Sequence, residues 1–139
     1  MDRELLKSQL VRHEGVRLRP YRDSVGKLTI GIGRNLDDIG ITRDEADLML
    51  DNDIDQAVII LETVDEYQST DSIRQTVLAN MCFNMGFRRL MGFHKMWKAI
   101  GRRDYQSAAR EMLDSRWAEQ VGSRAQELAR IMRTGEVQQ

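Results

Sequence analysis

The sequence predicts a mainly α (α+β) protein with one small β-bearing lobe, and three observations lead there. Apolar residues recur at three- and four-residue spacing along most of the 139 residues. Only residues 28–33, "LTIGIG", alternate strictly, with Leu28, Ile30 and Ile32 on one face and Thr29, Gly31 and Gly33 on the other. The single proline, Pro20, stands just before that stretch, where it suits an edge strand and argues against helix.

Taken in order, Asp2 is placed to cap a first helix carrying Leu5, Leu6 and Leu10, which Gly15 ends. Glu14 then falls in or just after its last turn. "SVGK" supplies a turn in which Gly26 takes positive φ, so that "LRPYRD" and "LTIGIG" form a two-stranded hairpin. The bare glycine face of its second strand leaves room for something to approach the backbone closely. Thr42 and Glu45 form a capping box that opens a long helix over 42–64, with Ala46, Leu50, Ile54, Ala57, Val58, Leu61 and Val64 on its apolar side. Helical sets follow at Ile73–Met85 (stopped by Gly86), at Phe93, Met96, Trp97 and Ile100 (closed by Gly101), and at Ala108–Leu113 behind Asp104. A last helix, with Ser123 and Gln126 as a capping box, is stopped by Gly135.

Composition narrows the function classes. With 41% hydrophobic and 31% charged residues and a net charge of -1, the chain reads as globular, with no basic field to attract nucleic acid. Arg88–Arg89 and Arg102–Arg103 read as solvated helix ends. Cys82, the one cysteine, lies among apolar residues as a core thiol, and it cannot join the two distant histidines in a zinc set. The charged N-terminus has no signal-peptide core, and no run reaches the roughly 20 apolar residues of a membrane span. A cytoplasmic product is expected, without membrane insertion, that must be released if it acts outside the membrane.

Several motifs fail on chemistry. "DNDIDQAVIILE" has the acids of an EF-hand but Gln56 where the loop needs glycine, and it continues a helix. "GIGRNL" lacks the third glycine and the βαβ unit of a dinucleotide site. No G-x-S-x-G elbow or H-E-x-x-H pair occurs.

Glu14, Asp23 and Thr29 remain. An acid pair by itself is more often surface charge than catalysis. A carboxylate at a helix C-terminus, however, faces the negative pole of the helix dipole, and cover from the hairpin would add to its tendency to hold a proton. Asp23 at the end of the first strand and Thr29 early in the second can face the same way. One protonated and one ionised carboxyl beside a cleft is the requirement for cleaving a glycosidic bond.

"HEG-x-RL-x-x-Y-x-D-x-x-G-x-x-TIGIG" resembles the signature of the T4-type lysozymes, the glycoside hydrolase 24 endolysins. In that family Glu, eight residues, Asp, five residues and Thr form a triad, and Glu14, Asp23 and Thr29 match that spacing. The likeness continues through "ITRDEADLMLDNDIDQAV", "NMCFNMG", "GFHKMW", "SAAREMLDSRW", "SRA" and "RTG". It implies a T4-lysozyme-like fold in one lysozyme domain over 1–139. The parts are a hairpin-bearing lobe (12–45), an interlobe helix (42–64) and a helical lobe (65–139) with which helix 2–14 packs.

The implied activity is hydrolysis of the β-1,4 bond between N-acetylmuramic acid and N-acetylglucosamine in peptidoglycan, with inversion and without cofactor or metal. Glu14 is the implied acid. Asp23 stabilises the anomeric cation or helps activate water, and Thr29 positions that water. Asn35, Phe83, Asn84 and Arg124 are implied substrate-binding residues, Arg124 approaching Glu14; Phe83 reads equally well as a core residue. The implied partner is the peptidoglycan glycan strand, met by a monomer in the periplasm after holin-dependent release from the host cytoplasm. The short segment 34–41 implies that a third strand is missing. A non-catalytic wall-binding or tail-associated module is the alternative, and a helical nucleic-acid binder is the third.

Overall fold

The computed structural model describes residues 1–137. Helix α1 (Arg3–Glu14) is followed by strands β1 (Arg17–Arg22), β2 (Leu28–Gly31) and β3 (Arg34–Asn35). Eight more helices complete the described residues: α2 (Arg43–Leu61), α3 (Asp65–Ser69), α4 (Ser72–Met85), α5 (Phe87–Met91), α6 (His94–Gly101), α7 (Tyr105–Leu113), α8 (Arg116–Val121) and α9 (Ser123–Thr134). The mainly α class is as expected. The chain divides into two compact units, Met1–Met49 and Leu50–Gln139.

The first unit holds α1, the sheet and the start of α2. Asp2 caps α1 by accepting the Leu5 N–H at 3.0 Å, and Gly15, at φ 75°, ends it. The sheet is antiparallel in the order β1-β2-β3, which leaves Pro20 on an edge strand. Register slips between Arg17 and Tyr21, around that proline, which has no N–H to give the ladder.

The third strand is present, against expectation, although only two residues long. Gly31 and Gly33, at φ 70° and 69°, turn the chain back within three residues, so that Ile30 pairs with Arg34 and Thr29 with Asn35. Ile32 therefore sits in a turn rather than extending β2. The capping box of α2 forms as read: Glu45 N–H donates to Thr42 Oγ1 at 3.1 Å, and Thr42 N–H to the Glu45 carboxylate at 3.0 Å.

The second unit carries the apolar core. The buried apolar side chains among the described residues all lie from Leu61 onward, including Leu78, Met81, Leu90, Met96, Met112 and Met132. Helices α4, α6, α7 and α9 supply its main faces. Cys82 is buried here, which pushes its thiol above the usual range. Asp104 caps α7 as expected, through Ser107 N–H at 3.1 Å. Ser123 does not cap α9: it is the first helical residue, behind Gly122 at φ 56°. Ser115 instead caps the unanticipated α8 through Ala118 N–H at 3.1 Å. No helix of the described residues is long and apolar enough to cross a membrane.

Candidate active site

The turn between β1 and β2 is built on Asp23. Its Oδ1 accepts the N–H groups of Val25 (3.0 Å) and Lys27 (2.8 Å). Its backbone N–H donates to Lys27 O at 2.9 Å, which continues the register of Tyr21 with Thr29 and Arg22 with Leu28. Side chains alternate along each strand, so Asp23, Tyr21, Lys27 and Thr29 share one face of the hairpin. Asp23 and Thr29 are diagonal neighbours on it, about 7–8 Å apart at the backbone. Asp23 Oδ2 has no hydrogen-bond partner among the described residues.

Thr29 is 3% exposed, the only buried residue in the first unit. Its hydroxyl donates to Lys27 O at 2.9 Å, so its lone pairs stay free to accept. Asn35 lies opposite Thr29 on β3 and on the same face. Its amide is committed to the next turn: Nδ2 donates to Asp38 at 3.0 Å, and Oδ1 accepts the Asp38 N–H at 3.0 Å.

Glu14 closes α1, as read, but the hairpin does not bury it: the residue is exposed. What approaches the glycine face is this side chain. A Cβ added at Gly33 would lie 2.9 Å from Glu14 Oε2 and 3.0 Å from its Cδ, whereas one at Gly31 would meet nothing within 4 Å. Gly33 therefore sets where the Glu14 carboxylate rests.

Beside this turn, Arg34 Nη1 donates to Glu45 at 2.8 Å and to Gly40 O at 3.1 Å, tying β3 to the start of α2. That guanidinium, with the Thr42 N–H, holds the Glu45 carboxyl down at about 2. Neither Gly33 nor Arg34 stood out as a site residue in the sequence. The glycine pattern was the available signal, and its meaning needed the Glu14 contact.

In the second unit, Phe83 is half exposed rather than core. It lines a largely apolar groove of about 450 Å3 together with Leu50, Ile54, Tyr67, Asn80 and Arg124. Arg124 is oriented by Asn80, whose Oδ1 accepts from Nε at 3.2 Å and from Nη2 at 2.7 Å. Asn80 was missed; it lies three residues before Phe83, on the same helix face. Asn84 is exposed, and its Oδ1 accepts the indole N–H of the buried Trp117 at 2.7 Å. No group of three His, Cys, Asp or Glu side chains able to hold a metal occurs among the described residues.

A small three-stranded antiparallel sheet followed by a long helix and a helical unit makes this a T4-lysozyme-like fold. The sequence profile of the phage lysozyme family matches residues 11–134, and the chain belongs to that family. It is similar to probable T4-type lysozyme 1 of Dictyostelium discoideum, 28% identical over 160 residues covering 94% of each chain. It is also 28% identical over 106 residues to an endolysin of Acyrthosiphon pisum secondary endosymbiont phage 1, covering 73% of this chain and 70% of that one. A third relative is the pre-baseplate central spike protein Gp5 of Enterobacteria phage T4. It is 28% identical over 93% of this chain, which corresponds to 28% of the spike protein.

Proposed function

We propose that the protein is a muramidase. It hydrolyses the β-1,4 bond between N-acetylmuramic acid and N-acetylglucosamine in peptidoglycan and inverts the anomeric carbon. The observation that carries this is Asp23 and Thr29 on one sheet face, in the same unit as Glu14 against Gly33.

Glu14 gives its proton to the glycosidic oxygen as the C1–O bond breaks. A water attacks C1 from the opposite side, and its proton passes to Asp23 through the oxygen that the turn leaves unpartnered. Thr29 holds that water with the lone pairs left free by its own donation to Lys27. One water is consumed, and the proton taken up by Asp23 balances the one that Glu14 gives. Phe83 offers a half-exposed ring to a sugar face beside Arg124. Asn35 and Asn84 act by shape, through the Asp38 turn and Trp117. In this role the protein is a monomeric endolysin that meets periplasmic peptidoglycan after holin-dependent release and lyses its host.

The test is digestion of purified murein sacculi followed by end-group analysis. N-acetylmuramic acid at new reducing ends, formed first as the α-anomer, is the expected product. Reducing N-acetylglucosamine, or a 1,6-anhydro sugar, would contradict the reaction. The kinship with a baseplate spike protein favours a second reading, a tail-associated wall-binding module. Binding to sacculi without any new ends would select it.

A further inference from the structure

Three arginines of the second unit line one small hollow for which the lytic reaction has no use. The seam of α7 and α9 is built from two matching faces, Gln106, Ala109, Arg110 and Leu113 against Gln126, Ala129, Arg130 and Arg133. Each face follows the i, i+3, i+4, i+7 spacing. The buried alanines, 109 and 129, let the helices approach closely. The longer side chains surround a hollow of about 210 Å3 that no carboxylate of the described residues lines.

None of Arg110, Arg130 and Arg133 is in an ion pair among the described residues. Arg110 donates from Nη2 to Ser107 Oγ at 2.9 Å, and that hydroxyl in turn donates to Asp104 at 2.7 Å, which fixes the direction of the guanidinium. Arg110 and Arg133 sit in the last turns of their helices, where the helix dipole favours a cation. That does not account for Arg130. Its Nε–H is buried and meets no acceptor among the described residues, an arrangement that is unfavourable unless a ligand supplies one.

We propose that this hollow is an anion site whose ligand is a phosphate monoester. Three unpaired guanidiniums match a dianion better than a single carboxylate. Their planar forks suit a tetrahedral group with several acceptor oxygens. The volume is below the roughly 300 Å3 at which drug-sized pockets begin, which fits a phosphoryl head with its ester substituent outside. The neighbouring glutamines supply amide donors for that substituent. None of these residues belongs to the Glu14 site or the Phe83 groove, so the site stands whether or not the chain is lytic.

Titration of the full chain with inorganic phosphate, a hexose phosphate, and phosphatidylcholine vesicles with or without phosphatidic acid tests it, at matched ionic strength against chloride. Amide resonances of α7 and α9 are expected to move with phosphate and not with chloride. Arg130→Gln combined with Arg110→Gln is expected to weaken binding about tenfold or more, and Arg130→Lys to recover part of it. Response to the soluble probes alone identifies a soluble ester as the source; added response to phosphatidic acid identifies a headgroup. Either, when lost in the double variant, supports the site. An equal response to chloride, or a phosphate response that survives the double variant, overturns it.

Discussion

Gly33 carries two demands at once, a positive φ of 69° and room for the Glu14 carboxylate. A side chain at such a φ costs about 1–2 kcal/mol. Gly33→Ala is expected to lose that much stability and also to displace Glu14, with activity falling on the order of 100-fold. Gly31→Ala supplies the contrast, because its φ is 70° but its space is open. It should cost similar stability and leave activity near wild type; equal activity loss in both variants would remove the positioning role of Gly33. Asp23 divides its roles by oxygen. Asp23→Asn keeps an acceptor for Val25 and Lys27, so thermal stability should hold while hydrolysis is lost. Asp23→Ala should in addition cost about 1 kcal/mol through the opened turn. At this scale the places of Glu14 at a helix end and of Asp23 and Thr29 on the hairpin were legible in the sequence, whereas their grouping as a triad came from the resemblance to the T4-type lysozymes and not from spacing. The commitment of Asn84 to Trp117 was not legible, because it joins positions 33 apart on different helices.

Among elements, the junction of β3 with α2 depends on charge. Arg34 and the Thr42 cap hold Glu45 at about 2 against an ordinary 4.5. A carboxyl depressed by folding stabilises the fold above its ordinary value, and loses that contribution as pH falls through the folded one. The Tm gap between wild type and Glu45→Gln should therefore be full above pH 4.5 and close toward pH 2. A gap independent of pH would contradict it. Arg74 has the corresponding part in the second unit: its Nε donates to Met132 O at 2.6 Å and its guanidinium stacks on Tyr105 at 3.6 Å, closing the end of α9. Arg74→Lys keeps the charge and loses the fork, so about 1–3 kcal/mol of stability should go, measured by urea unfolding. The side-chain caps at Asp2, Thr42 and Asp104 were readable, whereas those at Asp71 and Ser115 were not. The short α3, α5 and α8 were not, because fewer than two turns give too little periodicity. The third strand escaped for the same reason: two residues carry no alternation, and only the paired positive-φ glycines create it.

Across the molecule, burial is uneven. The apolar core of the described residues begins at Leu61, while the first unit fully buries only Thr29. Local stability follows buried contacts, so amide exchange in β2 and β3 should proceed through openings well below the global unfolding free energy, with α4, α6, α7 and α9 the slowest. Equal protection in both units would contradict that division. Met112→Ala, at a fully buried position, should cost about 2–5 kcal/mol. The mainly α class was legible because the helical periodicity is long and regular. The arginine hollow was not, since it requires α7 and α9 side by side.

Release of reducing ends from murein by Glu14→Gln, beside wild type, tests the central claim most directly. The side chain is exposed and makes no hydrogen bond among the described residues, so the variant should fold with unchanged Tm. It should release no N-acetylmuramic acid ends while wild type does. A folded Glu14→Gln protein that cleaves murein at the wild-type rate would contradict the assignment of Glu14 as the acid.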